Sequence, residues 1–189
     1  KGINILSEKC PVVLDHYTHK FAWINQPQQS QIIIPTVSSE RREYIPMGFS
    51  DVSVIVSNSA SIVHDPEPYV FALLQSKMHM VWVKTIAGKL EERIRYTSAI
   101  CYNTFPVPKL MKASIFKLNE SAFKILAVRE SYSHLSLAQL YDPEKMPFDL
   151  KQAHKENDLL VEKLYKSSEF KTDEERLERL FHYYETMLN

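Results

Sequence analysis

Glu91, Arg93 and Arg95 stand two residues apart within the stretch GKLEERIRY, residues 88–96. Side chains of an extended segment alternate between its two sides, so this spacing places one acid and two guanidiniums together. An arginine fork matches the O6 and N7 acceptors of guanine, and a carboxylate accepts from the cytosine amino group. The three residues are therefore a candidate base-reading set. The alternative is a solvated surface strand whose charges pair with one another. A second cluster, SSERREYIP from Ser38, offers Ser39, Arg41 and Arg42, whose hydroxyl and guanidinium groups suit phosphate oxygens. Its alternative is a charged hairpin loop.

Other constellations fail on spacing. Asn103-Thr-Phe-Pro106 superficially resembles the Asn-Pro-Pro-aromatic loop of DNA amino-methyltransferases, but Thr holds the second place and Pro comes fourth. A strand end that packs Phe105 is the simpler expectation. Cys10, Asp15, His16 and His19 could in principle ligate zinc, yet no second pair at ligand spacing completes the site. His154 and Asp158, four apart on a helix, read as a solvated hydrogen-bonding pair. DPEKMP carries the letters of a nuclease motif in a turn between helices, and no nucleophile elbow occurs. The glycines are Gly2, Gly48 and Gly88, so no clustered loop can cradle a phosphate or a cofactor.

Positioning these side chains falls to two unlike halves. Residues 31–63 hold short Ile- and Val-rich runs, QIIIPTV, EYIPMGF, VSVIVSN and SIV, which read as strands. Pro35 and Pro46 belong at edges or strand ends. Residues 65–90 read as one helix stopped by Gly88 as C-cap, and RYTSAICYNTF as a strand. From Pro106 the pattern is wholly helical. Asn119 caps a helix carrying Phe123, Leu126 and Ala127. A second helix spans about Phe148 to Tyr165, with Leu150, Ala153, Asn157, Val161 and Leu164 on one stripe. A third opens on Thr172 and Glu175 as a capping box.

The 189 residues carry 23 basic and 23 acidic groups, which gives no global pull toward a polyanion. Locally, Lys77, Lys84, Lys89, Arg93 and Arg95 outnumber Glu91 and Glu92. No apolar run approaches the roughly 18 residues that span a bilayer. Two cysteines fit a reducing cytoplasm. The chain starts on Lys-Gly without an initiator Met and reads as a piece of something longer.

Three stretches resemble, in order, the C-terminal third of the MmeI-like (type IIL) restriction–modification enzymes. They are IIIPTVSSERREYIPMGF, FALLQSKMHMVWVKTIAGKLEERIRYTSAICYNTFPVP and SLAQLYDPEKMPFDLKQAHKENDLLVEKLY. The match runs from about Phe21 to the end. The resemblance implies an α+β architecture: a mixed target-recognition domain with short strands over 1–106, then an all-helical C-terminal domain over 107–189. It implies double-stranded DNA as partner, with Glu91, Arg93 and Arg95, then Asn58 and Ser59, reading bases. Ser39, Arg41, Arg42, Lys89, Tyr96 and Asn103 would position the DNA backbone.

In this family the catalytic parts lie upstream. They are an adenine-N6 methyltransferase domain using S-adenosylmethionine and a nuclease using Mg. The fragment itself would hold neither cofactor, catalyse nothing and touch no membrane, and the upstream methyltransferase domain of the same chain would be its neighbour. Lys89 stands where the family often has Arg, and FPVP where it often has Phe-Pro-Trp-Pro. The reading from another class is a protein-interaction module, in which helices over 119–188 dock a partner and the basic cluster is solvated.

Overall fold

The computed structural model describes residues 27–188. Two small antiparallel sheets and six helices share one hydrophobic core. The first sheet comprises β1 (Ser30–Pro35), β3 (Gly48–Asp51) and β4 (Ala60–His64), in the order β3-β1-β4. Alternation along β1 sends Ile32 and Ile34 into the core, at 0% and 1% exposure. Pro35 closes the strand, where its missing N–H costs no ladder bond. The second sheet comprises β2 (Val37–Ser38), β5 (Gly88–Leu90) and β6 (Arg93–Arg95), in the order β2-β6-β5.

VSVIV forms no strand. Residues 52–59 connect β3 to β4 and leave Val54 and Ile55 exposed. Buried Gln31 pins this connector, its Nε2 donating to the carbonyls of Asp51 at 3.0 Å and Val54 at 2.7 Å.

Residues 65–90 make two helices rather than one, α1 (Pro68–Leu74) and α2 (Lys77–Ile86). Pro68 suits the first turn of α1, which needs no N–H there. Ser76 then breaks the run: its Oγ accepts from His79 N at 3.2 Å and so caps α2. Ala87, not Gly88, ends α2 in an extended conformation, and Gly88 opens β5. The expected strand over RYTSAICYNTF is confined to β6; a π-helical turn, Ser98–Tyr102, follows it.

Four helices complete the chain: α3 (Lys112–Glu130), α4 (Leu137–Leu140), α5 (Phe148–Tyr165) and α6 (Asp173–Leu188). The α5 stripe buries Leu150, Ala153, Asn157 and Val161 as its period requires. Ser136 and Gln139 form a reciprocal capping box on α4. At α6 the Thr172 Oγ1 accepts from Glu175 N at 3.3 Å, while the Glu175 carboxylate turns to Lys171 N. Asn119 caps nothing, because α3 begins seven residues earlier, and Phe123 faces solvent.

The break between α1 and α2 is completed by α5. Its Asn157 Nδ2 donates to the carbonyls of Ala72 at 2.8 Å and Gln75 at 3.2 Å, which are orphans at the end of α1. Next to it, Asp158 Oδ1 accepts from Lys77 N at 2.6 Å, placing an anion at the start of α2. Asp158 Oδ2 accepts from the Tyr44 hydroxyl at 2.6 Å. His154 and Asp158 are thus no solvated pair. His154 is fully buried, its Nδ1–H donating to Gln75 O at 3.2 Å and its Nε2 accepting from the Tyr141 hydroxyl at 2.6 Å.

Arg129, 8% exposed, joins the same knot from α3. It donates to Met47 O at 2.7 Å, Gln75 Oε1 at 2.8 Å and the Tyr141 hydroxyl. Its guanidinium also lies over the rings of Phe71 and Tyr141. Among the described residues no carboxylate pairs with it. Replacing Arg129 by Met keeps the volume but leaves three buried acceptors short of a donor. The expected cost is about 3 kcal/mol of unfolding free energy, read as a lower urea midpoint with an unchanged slope.

Candidate nucleic-acid interface

Arg93 and Arg95 lie on β6 with Ile94 between them. Ile94 is buried at 4% exposure and both arginines are exposed. Register extends the alternation across the sheet: Val37, Arg95 and Gly88 form one row and Leu90 and Arg93 the next. Cross-strand partners share a face, so these five residues make up the outer surface. Ser38, Ile94 and Lys89 form the opposite row, and Ser38 is buried with Ile94.

Glu91 reaches the arginines by another route than a straight strand. Leu90 pairs with Arg93, which leaves Glu91 and Glu92 as a two-residue hairpin turn. Glu91 has φ +58°, the left-handed conformation that such turns normally assign to Gly or Asn. Folded back in this way, its carboxylate accepts from Arg93 Nη2 at 2.9 Å. Arg95 has no ion-pair partner among the described residues.

One residue ties the second proposed pair to this surface. The Ser59 carbonyl accepts from Thr36 N at 3.1 Å and from Thr36 Oγ1 at 2.7 Å, while Thr36 O accepts from Tyr96 N at 2.8 Å. The turn bearing exposed Asn58 and Ser59 therefore sits at the Arg95 end of the second sheet. The Ser59 hydroxyl meets that of Ser57 at 2.7 Å.

The other expected positions scatter. Ser39 Oγ accepts from Arg41 N at 3.3 Å inside its own turn. Arg41 pairs with Glu144 at 2.8 Å, both side chains largely exposed. Arg42 donates to Ala138 O at 3.2 Å, so its guanidinium holds the loop against α4. Lys89 projects from the face opposite the arginines, its Nζ 3.9 Å from Glu40. Asn103 is exposed at the end of the π-helical turn, and no hydrogen bond joins it to the hairpin. The neighbouring Thr104 accepts from Trp82 Nε1 at 3.1 Å, so Asn103-Thr-Phe-Pro106 closes a turn with Phe105 packed, not a strand.

Tyr96 has to be withdrawn from the surface set. The alternation that turns Arg93 and Arg95 outward turns Tyr96 inward, to 1% exposure, with its hydroxyl 3.2 Å from His79 Nε2. The same rule identifies Leu90 and Gly88 as members of the outer face, which sequence reading overlooked. The candidate zinc ligands Cys10, Asp15, His16 and His19 lie outside the described residues. Among the described residues no three His, Cys, Asp or Glu side chains converge on a metal position, and no helix is long and apolar enough to cross a membrane.

A family model for the MmeI target recognition domain matches residues 8–109, and one for the MmeI C-terminal domain matches 110–189. The chain belongs to the MmeI family. It is 42% identical over 168 residues to DNA methyltransferase A of Bacillus subtilis (strain 168), across 89% of this chain and 19% of that protein. The chain thus spans about a fifth of the curated relative's length. Among solved structures it is similar to the type IIL restriction–modification enzyme MmeI in complex with DNA, at 40% identity and a TM-score of 0.84. That match covers 89% of this chain and 23% of the other.

In this MmeI-family unit, the imidazole that meets Tyr96 and the one that meets Gln75 and Tyr141 titrate alike. Burial holds His79 and His154 down to about 3, the latter helped by the Arg129 charge. Burial pushes the Asp158 carboxyl up to about 7, against the pull of the Tyr44 hydroxyl and Lys77 N–H. The unfolded chain protonates both histidines near 6.5 and the folded chain does not, so their contribution is complete above that pH and lost below it. Asp158 acts oppositely: its folded form keeps a proton that the unfolded form releases near 3.8, so stability falls as pH rises toward 7. From about pH 6.5 to 5 the histidines cost about 3 kcal/mol and Asp158 offsets about 2, a net loss of about 1. Urea unfolding at the two pH values measures it. In Asp158→Asn the offset disappears and the loss should reach about 3 kcal/mol.

Proposed function

We propose that this chain is the part of a site-specific DNA methyltransferase that reads the target sequence. Supporting this is the outward face of the β5–β6 hairpin, where Arg93 and Arg95 project side by side and Glu91 is held against Arg93. Arg93 fits guanine O6 and N7, and Glu91 fits the amino group of the paired cytosine, so the ion pair can read both halves of one G·C pair. Arg95, with Asn58 and Ser59 at its end of the sheet, takes the neighbouring pairs. Exposed Arg41, Asn103 and Lys89, the last from the other face of the hairpin, are offered to the DNA backbone, while Ser39 and Arg42 shape the loop that carries Arg41. The relative named DNA methyltransferase A and the MmeI structure with DNA support the assignment.

The parent enzyme on this reading transfers a methyl group to adenine N6 in the cytoplasm and carries a fused endonuclease. S-adenosylmethionine and Mg would bind its upstream domains, as the resemblance to the MmeI-like enzymes implies. The adenine is flipped out of the duplex for the transfer, and the hairpin keeps the DNA in register meanwhile. The upstream methyltransferase domain is the intramolecular neighbour.

A second reading rests on exposed aromatics of the helical half. Phe116 and Phe123 on α3 and Phe148 on α5 are 64%, 59% and 84% exposed, as in a protein-docking module. Duplex binding separates the two. Arg93→Ala should weaken specific binding by about 1–3 kcal/mol and relax preference at one base pair. Lys89→Ala should weaken binding to all sequences and lower the salt slope by about one unit. Selection from a randomised duplex pool, repeated across a salt series, measures both. An unchanged selected site in Arg93→Ala would remove Arg93 from the reading set.

A further inference from the structure

The outer face of the second sheet contains one position that the fold leaves unexplained. Gly88 is exposed, lies within β5 and has no positive φ, so its backbone conformation is open to any residue. A Cβ built on it meets nothing within 4 Å. At Gly48, by comparison, a Cβ would meet Ile33 Cβ at 3.7 Å and Leu137 Cδ1 at 3.9 Å. Glycine weakens a strand because it contributes no packing and loses more chain entropy, and in strands it often marks a bulge, a sharp bend or a close approach by another molecule; the one-to-one register of β5 with β6 leaves no bulge here. The chain holds only three glycines, so its use here is no compositional accident.

The surroundings of Gly88 point the same way. Arg95 lies directly opposite it on β6, with Val37 beyond on β2, so the bare backbone is flanked on its outer face by the unpaired guanidinium. Two residues along, Leu90 is 43% exposed beside Arg93. Gly88 thus forms the floor of a gap between Arg95 and Leu90, on an edge strand that pairs on one side only. A methyl group on Gly88 would enter that gap with no protein atom within 4 Å of it.

We propose that Gly88 is the point where duplex DNA comes closest to the main chain, and that the absent side chain lets Arg95 reach a base edge. The inference rests on the DNA-reading assignment above and deepens it. The direct test is Gly88→Val in the full chain. A β-branched residue favours a strand, so melting temperature should hold or rise. Affinity for a duplex selected from a random pool by the unaltered chain should fall on the order of tenfold or more, with Gly88→Ala between the two. Arg93→Ala run alongside should change which duplexes are selected. A Gly88→Val chain that folds and binds the selected duplex as tightly as the unaltered chain overturns the close approach and leaves the DNA-reading assignment standing. If Gly88→Val lowers the melting temperature, Gly88→Ala decides: equal affinity overturns the proposal and weakened affinity supports it. An unaltered chain that selects no duplex overturns the DNA reading, and the Gly88 proposal falls with it.

Discussion

The arrangement of the molecule depends on a gap of two residues, Gln75 and Ser76, between α1 and α2. Cutting a helix in the interior strands carbonyls on one side and amides on the other, and each left unpaired costs about 1–3 kcal/mol. Here α5 supplies both partners from adjacent positions, Asn157 for the carbonyls of α1 and Asp158 for the first amide of α2. Arg129, Tyr141 and His154 close the remaining acceptors around Gln75. Two family models divide the chain at 109/110, yet the first portion cannot satisfy its own backbone without the second. The boundary in sequence is a seam inside one core.

From this break the dependence runs outward to the surface. The turn at Ser76 sets the direction of α2, and α2 delivers the chain within one residue of its end to Gly88 and the hairpin. The Tyr96 hydroxyl meets His79 of α2, which anchors the strand end to the helix beneath. Thr36 then fixes the second sheet to the turn at Ser59. The helical half, which carries none of the exposed base-reading candidates, thereby positions them. A packed frame behind a short exposed hairpin is what a reading surface requires, because misplacement of a guanidinium by an ångström loses a bidentate contact.

Periodicity made much of this visible in the sequence. The α5 stripe, the cap of α6 and the outward Arg93–Arg95 pair follow from period and spacing. The single long helix over 65–90 did not form, because Ser76 is a strong N-cap and the carbonyls and amide freed at the break find Asn157 and Asp158 in α5. VSVIV has strand composition but becomes a connector, since Gln31 takes the Val54 carbonyl and β1 already has neighbours on both sides. The resemblance puts Tyr96 among the backbone-positioning residues, whereas strict alternation from Arg93 and Arg95 turns it inward. His154 and Asp158 read as solvated because i, i+4 spacing cannot tell which face of a helix another domain will cover. The left-handed turn at Glu91 leaves no local signal, as neither residue of the turn is Gly or Asn.

That turn sets the energetic balance of the Glu91–Arg93 pair. An acidic residue with positive φ gives up about 1–2 kcal/mol relative to glycine at the same place. An ion pair between side chains this exposed recovers at most about 1 kcal/mol, and less in salt. The pair therefore does not stabilise the fold on balance, and a hairpin built for stability would have Asn-Gly at Glu91-Glu92. The carboxylate at this position is therefore not explained by the stability of the hairpin. The turn also explains why it sits beside Arg93: on a flat strand the two side chains would be rivals for one direction, whereas the fold-back brings acceptor and donor to neighbouring positions at the hairpin tip. A base pair offers donor and acceptor edges at that kind of separation, and a phosphate backbone would repel the acid. Under the DNA-reading proposal, an acid at the tip therefore suits base edges better than phosphates.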